Sequence, residues 1–220
     1  MLFADRHEAG RLLAAKLRER HYDRPVVLAL PRGGVPIGFE VAAALAAPLD
    51  LVLVRKIGAP FQEELAVGAI AEGGPPEVVT DPRIIAGLGI PWSYIEEVKA
   101  EALEEIKRRR RIYLAGRDPV SVAGSTAIVV DDGLATGATM RAALRVTRRR
   151  QPSRLVLAVP VAPPDALDRM KGEADETICL HQPPDFFGVG QFYRDFRQLS
   201  DDEVTALLDR ARRASDATQA

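Results

Sequence analysis

Cysteine is nearly absent from the 220-residue chain, where Cys179 stands alone. A single cysteine excludes an internal disulfide framework and a cysteine-based zinc cluster. A reducing cytoplasm is the setting this predicts. Net charge is almost absent too, at −1, so no overall field directs the protein to DNA, RNA or an anionic membrane. No stretch approaches about 20 uncharged apolar residues, and no membrane span is expected. The opening "MLFADRHEAGRLLAAKLRER" has no long apolar core ahead of its charges and is not expected to be a signal peptide. Internal repeats, low-complexity segments and a clear linker are missing as well.

What is present has the composition of a globular protein, 47% hydrophobic and 28% charged. The length suffices for one well-buried domain, and residues 1–220 are read as such. Asp5 with Glu8 forms an acidic N-cap and capping-box pair for a helix reaching about Arg20. "PVVLAL" (25–30) and "DLVLVRK" (50–56) are short apolar runs that suit buried strands, with a helix over 34–47 between them. Gly and Pro are scattered through 57–80, which predicts a loop and hairpin inserted over the sheet. A long helix covers 90–116, with Pro91 near its start and Gly116 past its end. Strands at 125–132, 153–162 and 175–180 alternate with helices at 137–150 and 164–171. Irregular sequence fills 181–199, and Ser200 with Glu203 opens a last helix, 200–213. Apolar strands alternating with helices predict a three-layer α/β/α fold around a mainly parallel sheet of about five strands.

Ligands of such sheets sit beyond the carboxyl ends of the strands, and three exits carry unusual chemistry. The first is "VVDDGLATGATM" (129–140). The turn from Gly133 to Thr139 enters a helix, so its N–H groups and the Thr136 and Thr139 hydroxyls can cradle a phosphate. It is not a Walker A loop, because no Gly-Lys-Ser/Thr follows, and "GLATGA" lacks the second Gly of G-x-G-x-x-G. Asp131 and Asp132 should repel a phosphate, so they need another partner, a divalent cation or a pair of hydroxyls. Ribose 5-phosphate offers both a phosphate and a vicinal diol. The second exit, "PRGG" (31–34), has two glycines that admit close backbone approach and an Arg32 suited to a phosphate. The third, Arg55 and Lys56, suggests a second anionic group such as pyrophosphate. Read separately, the last two are also consistent with a tight turn and a solvated strand end.

"AIVVDDGLATGATM" (127–140) resembles the phosphoribosyl-pyrophosphate (PRPP) binding motif of type I phosphoribosyltransferases. "LPRGG" (30–34) resembles that family's pyrophosphate loop, and "VRK" (54–56) its next strand end. Residues 57–74 sit where the family has a mobile loop, and 181–199 where a variable hood covers the acceptor.

The resemblance implies roles position by position. Asp131 and Asp132 would bind the ribose hydroxyls. The stretch Ala135, Thr136, Gly137, Ala138 and Thr139 would hold the 5-phosphate. Arg32, Gly33 and Gly34, with Lys56, would hold pyrophosphate, with a strained peptide in that loop. Mg²⁺ would be held mainly by PRPP itself. The implied activity is transfer of phosphoribose to a nitrogenous, nucleobase-like acceptor with pyrophosphate release, in cytoplasmic nucleotide metabolism. A homodimer is left open.

Ala135 occupies the place where the hypoxanthine–guanine branch has an Asp assisting the base, which counts against that branch. Glu63 and Glu64 in the mobile segment are the catalytic candidates in its stead, against a reading as solvated loop acids. In the hood, Phe186, Phe187 and Tyr193 are candidates for stacking on a planar acceptor, against packing onto the sheet. The runs "KRRRR" (107–111) and "RRR" (148–150) suit helix C-termini. They also keep a second function open, a PRPP-sensing regulatory or nucleic-acid-binding module, which the near-neutral charge disfavours.

Overall fold

The computed structural model describes residues 1–60, 62–72, 76–80, 82–115 and 118–219. Five strands form a fully parallel sheet: β1 (Pro25–Ala29), β2 (Leu49–Leu51), β6 (Thr126–Val130), β7 (Arg154–Val161) and β8 (Glu176–His181), in the order β2-β1-β6-β7-β8. Three more, β3 (Val54–Ala59), β4 (Gln62–Ala71) and β5 (Glu77–Thr80), form an antiparallel sheet in chain order. The helices are α1 (Arg6–Leu17), α2 (Gly34–Leu45), α3 (Pro82–Gly87), α4 (Trp92–Leu114), α5 (Ala138–Arg149), α6 (Pro164–Arg169) and α7 (Asp201–Gln219).

The central strands β1, β6 and β7 are buried on both faces, which is why they read as apolar runs. Successive side chains point to opposite sides. Val27, Ile128, Val130, Val156 and Ala158 join a core with α1, α2 and α7, whereas Val26, Leu28, Val129, Leu155 and Leu157 join a second core with α5. The register pairs Val27 with Ile128 and Ala29 with Val130, which brings the carboxyl ends of β1 and β6 level. From β1 the chain crosses through α2 to β2 on one side, and from β6 through α5 to β7 on the other. Chain direction across the sheet thus diverges between β1 and β6, the place where a crevice opens in doubly wound sheets.

Both helices with an expected capping pair are capped by side chains. Asp5 Oδ1 accepts from Glu8 N–H at 2.7 Å, and Glu8 accepts in turn from Ala4 N–H at 2.5 Å. Ser200 Oγ accepts from Glu203 N–H at 3.2 Å, and Glu203 from Ser200 N–H at 2.9 Å. The run 50–56, expected as one strand, is two. It leaves the parallel sheet after Leu51 and enters the antiparallel one at Val54. The hairpin expected within 57–80 is the β4–β5 part of that second sheet, whose small core holds Ile57, Val67 and Ile95 beneath α4. α3 has no counterpart among the expected elements, and α7 runs beyond the expected end at 213.

Candidate active site

The exits of β1 and β6 meet at the crevice. Leu30 N–H donates to Val130 O at 3.0 Å, and the Pro31–Arg32 peptide bond that follows is cis. Gly33 lies directly on the acid pair: a Cβ there would stand 2.0 Å from Asp132 Oδ2. At Gly34 a Cβ would stand 2.8 Å from Val130 O. No larger residue fits this approach of loop to strand end.

Past Asp132 the chain enters the phosphate loop proposed from its composition. Gly137, with φ of +83°, caps α5 without any side-chain hydrogen bond. Gly33 caps α2, but there the Gly34 and Val35 amides donate to Leu30 O at 2.9 Å and Arg32 O at 3.2 Å. The first-turn amides of a helix have no partner within it, so the uncapped N-terminus of α5 gives the crevice partial positive charge. In α1 and α7 the corresponding amides are taken up by Asp5 and Ser200.

A cleft of about 310 Å³ is lined by Asp131, Gly133, Leu134, Ala135, Thr136, Gly137, Thr139, Met140, Lys56 and, from the hood, Val189. An adjoining cleft of about 530 Å³ shares Lys56 and Thr139 and adds Arg55, Tyr94, Glu101 and Arg109. Arg55 and Lys56 do not end a strand, as the sequence suggested. They lie near the start of β3, whose change of sheet carries Lys56 to the phosphate loop. Arg32 points to α7, with Nη1 3.7 Å from Asp201 Oδ1.

The acids are embedded rather than solvated. Asp132 Oδ2 accepts from Arg6 Nε at 2.8 Å, with side-chain exposures of 13% and 10%. Asp132 N–H donates to Asp131 Oδ1 at 2.9 Å. Burial, and then the neighbouring Asp132 carboxylate, push the Asp131 carboxyl well above the usual range. Burial raises Asp132 as well, and the Arg6 guanidinium opposes that rise. A half-buried like-charged pair of this kind suits a ligand that donates hydrogen bonds to both carboxylates.

The hood holds a different arrangement from the one expected. Tyr193 is buried, with its ring between Phe3 at 5.3 Å and Phe196 at 5.1 Å, and its hydroxyl donates to Asp132 O at 2.6 Å. Its faces are taken, so it tethers the hood to the acid pair and does not stack on an acceptor. Phe186 stacks on Phe192 at 5.5 Å, and Phe187 is 94% exposed. Glu63 and Glu64 fall on β4, and their side chains lie outside the described residues. Arg6 and the Tyr193 hydroxyl are site features that sequence reasoning missed. They act on Asp132 from 126 and 61 residues away, with no local motif.

A family model described as the phosphoribosyl transferase domain matches residues 5–197. The chain belongs to that family. Proteins from two strains of Mycobacterium tuberculosis, each provisionally named a phosphoribosyl transferase, are 50% identical over 212 residues, covering 96% of this chain and 47% of the relative. The chain therefore spans about half the length of the curated relatives it matches. The crystal structure of TT1426 from Thermus thermophilus is 44% identical, with a TM-score of 0.79 over 94% of this chain and 98% of that one. The five-stranded parallel sheet between helices is the type I phosphoribosyltransferase fold, as the resemblance implied. As a phosphoribosyl transferase domain, the chain carries its acid pair and phosphate loop inside the matched span.

Proposed function

We propose that this chain transfers phosphoribose from PRPP to a nitrogenous, nucleobase-like acceptor and releases pyrophosphate. The observation that carries this reading is the half-buried pair Asp131–Asp132 beside the bare N-terminus of α5. The two carboxylates accept from the ribose hydroxyls. The amides of 135–139, with the Thr136 and Thr139 hydroxyls, take the 5-phosphate. One ligand with a diol and a phosphate answers both charges.

Breaking the bond from C1 to pyrophosphate leaves positive character on the ribose and adds negative charge to the leaving group. Arg32, in the loop after β1, and Lys56, which lines the cleft, would meet that charge. The described residues contain no group of three or more His, Cys, Asp or Glu side chains placed to hold a metal ion. Mg²⁺ held by the donor's own oxygens would supply countercharge to the pyrophosphate. The nucleophile is a nitrogen of the acceptor, and Val189 of the hood stands at the cleft edge where such a group would enter.

The alternative of a nucleic-acid-binding sensor is weakened by the basic runs themselves. Lys107 pairs with Glu104, Arg108 and Arg109 with Glu105, Arg110 with Glu72, Arg148 with Asp175, and Arg149 with Glu77. Charges neutralised within the fold leave little to offer phosphates.

The test incubates the protein with PRPP, Mg²⁺ and a panel of purines and pyrimidines and follows pyrophosphate release. Asp131→Asn with Asp132→Asn serves as the control. Absence of both turnover and PRPP binding by calorimetry sinks the proposal, and binding without turnover favours the sensor.

A further inference from the structure

Arg6 reaches the site from a direction that the acid pair, phosphate loop and basic exits do not require. It is the first residue of α1, directly after the Asp5 cap. Three contacts fix its guanidinium. Nε donates to Asp132 Oδ2 at 2.8 Å, Nη1 donates to Arg197 O at 3.0 Å, and the group lies 4.0 Å over the centre of the Phe196 ring. Phe196 packs on Tyr193, whose hydroxyl holds the Asp132 main chain. One connected unit, the first turn of α1 plus the hood, thus grips Asp132 by side chain and backbone together. Among the described residues, Asp131 receives no ion pair.

We propose that Arg6 is a positioning residue that sets the preference of this site for a sugar carrying both ring hydroxyls. The proposal rests on the donor-site reading above. An ionised carboxylate has about four lone-pair positions. Arg6 takes one on Oδ2, and the Gly33 backbone crowds the same oxygen. The carboxylate cannot turn without breaking the Arg6 bond, so its remaining acceptor directions are set before a sugar arrives. Orientation fixed beforehand lowers the ordering cost of binding. A sugar without the hydroxyl leaves that fixed, enclosed acceptor unpaired, which is the costly outcome. A carboxylate released from Arg6 can turn toward water instead and tolerates the missing hydroxyl. A lysine at position 6 would keep the charge but neither the planar fork nor the stacked face.

The experiment compares methyl ribofuranoside 5-phosphate with its 2,3-dideoxy analogue, by calorimetry, on the wild-type chain, Arg6→Gln and Arg6→Lys. The methyl group blocks the anomeric carbon, so binding alone is read. The wild type should prefer the diol by about tenfold to a hundredfold, the scale of hydrogen bonds to a charged group. Arg6→Gln should lose most of that preference while binding the dideoxy analogue nearly as well as the wild type does. Arg6→Lys should fall between. Full preference in both variants overturns the proposal, as does an equal loss of affinity for the two sugars, which is what a purely structural role gives. If Arg6→Gln does not fold, the Arg6→Lys result decides by the same criteria. No binding of either sugar by the wild type overturns the donor-site reading and this proposal with it.

Discussion

Asp132 and Arg32 leave neighbouring strands within a few residues of each other, yet their surroundings differ. Asp132 is 13% exposed, gripped by Arg6 and Tyr193 and pressed by Gly33. Arg32 is 29% exposed, and its partner is Asp201 of α7, at 3.7 Å. The acidic half of the crevice is fixed before any ligand arrives, and the basic half is open to rearrangement. The contrast matches the two tasks proposed for them. The ring hydroxyls and the 5-phosphate take no part in the bond changes at C1, so a rigid mould serves them throughout. A leaving group changes charge and position, and a longer, more exposed cation can follow it.

Breaking the rigid half should cost most. Asp131→Asn with Asp132→Asn removes both acceptors and should lower the rate of pyrophosphate release by about a thousandfold or more. Gly33→Ala forces a methyl into the space of Asp132 Oδ2. It should cost about a hundredfold through misplacement of the carboxylate, with a near-native circular dichroism spectrum. On the open half, Arg32→Gln should lower kcat by about tenfold, with a smaller change in the KM for the donor. Equal losses at Arg32 and Gly33 would erase the comparison. Tyr193→Phe leaves Asp132 O short of one hydrogen bond and should lower the melting temperature by about 2–4 °C, the scale of 1 kcal/mol in a domain of this size.

The smallest effect has the opposite sign. The Asp131 carboxyl is raised in the folded state by burial and by Asp132, so ionising it disfavours the fold. Stability from this group is complete below the unperturbed value of 3.8 and is lost as pH rises through the folded value. Asp131→Asn should therefore melt slightly higher than wild type at neutral pH while losing activity. The gain should vanish as pH falls below the unperturbed value, which a series of thermal melts across pH would read. A lower melting temperature at neutral pH would show the acid pair to be solvated after all.

The parallel sheet was legible because a strand buried on both faces is an apolar run, and the stretches 25–30, 127–130 and 155–162 have nothing else in them. The turn from β6 into α5 was legible because all its parts are local: a strand end, two acids, glycines and threonines within twelve residues. The run 50–56 misled for the same reason that the others succeeded. It is apolar from Leu51 to Val54, and nothing in it marks where one sheet is left for another. The hood aromatics were visible as a cluster. Which rings are spoken for depends on Phe3 and Arg6, which approach only through the tertiary fold.

The sewing of residues 3–6 to the hood also bears on the order of synthesis. Phe3 N–H donates to Phe192 O, Arg194 N–H to Phe3 O, and Arg6 to Arg197 O, 191 residues later. During synthesis α1 precedes these partners by almost the whole matched span. Contacts that far apart in sequence form late. A chain ending before residue 192 would carry Asp131 and Asp132 but not the hood contacts that hold Asp132.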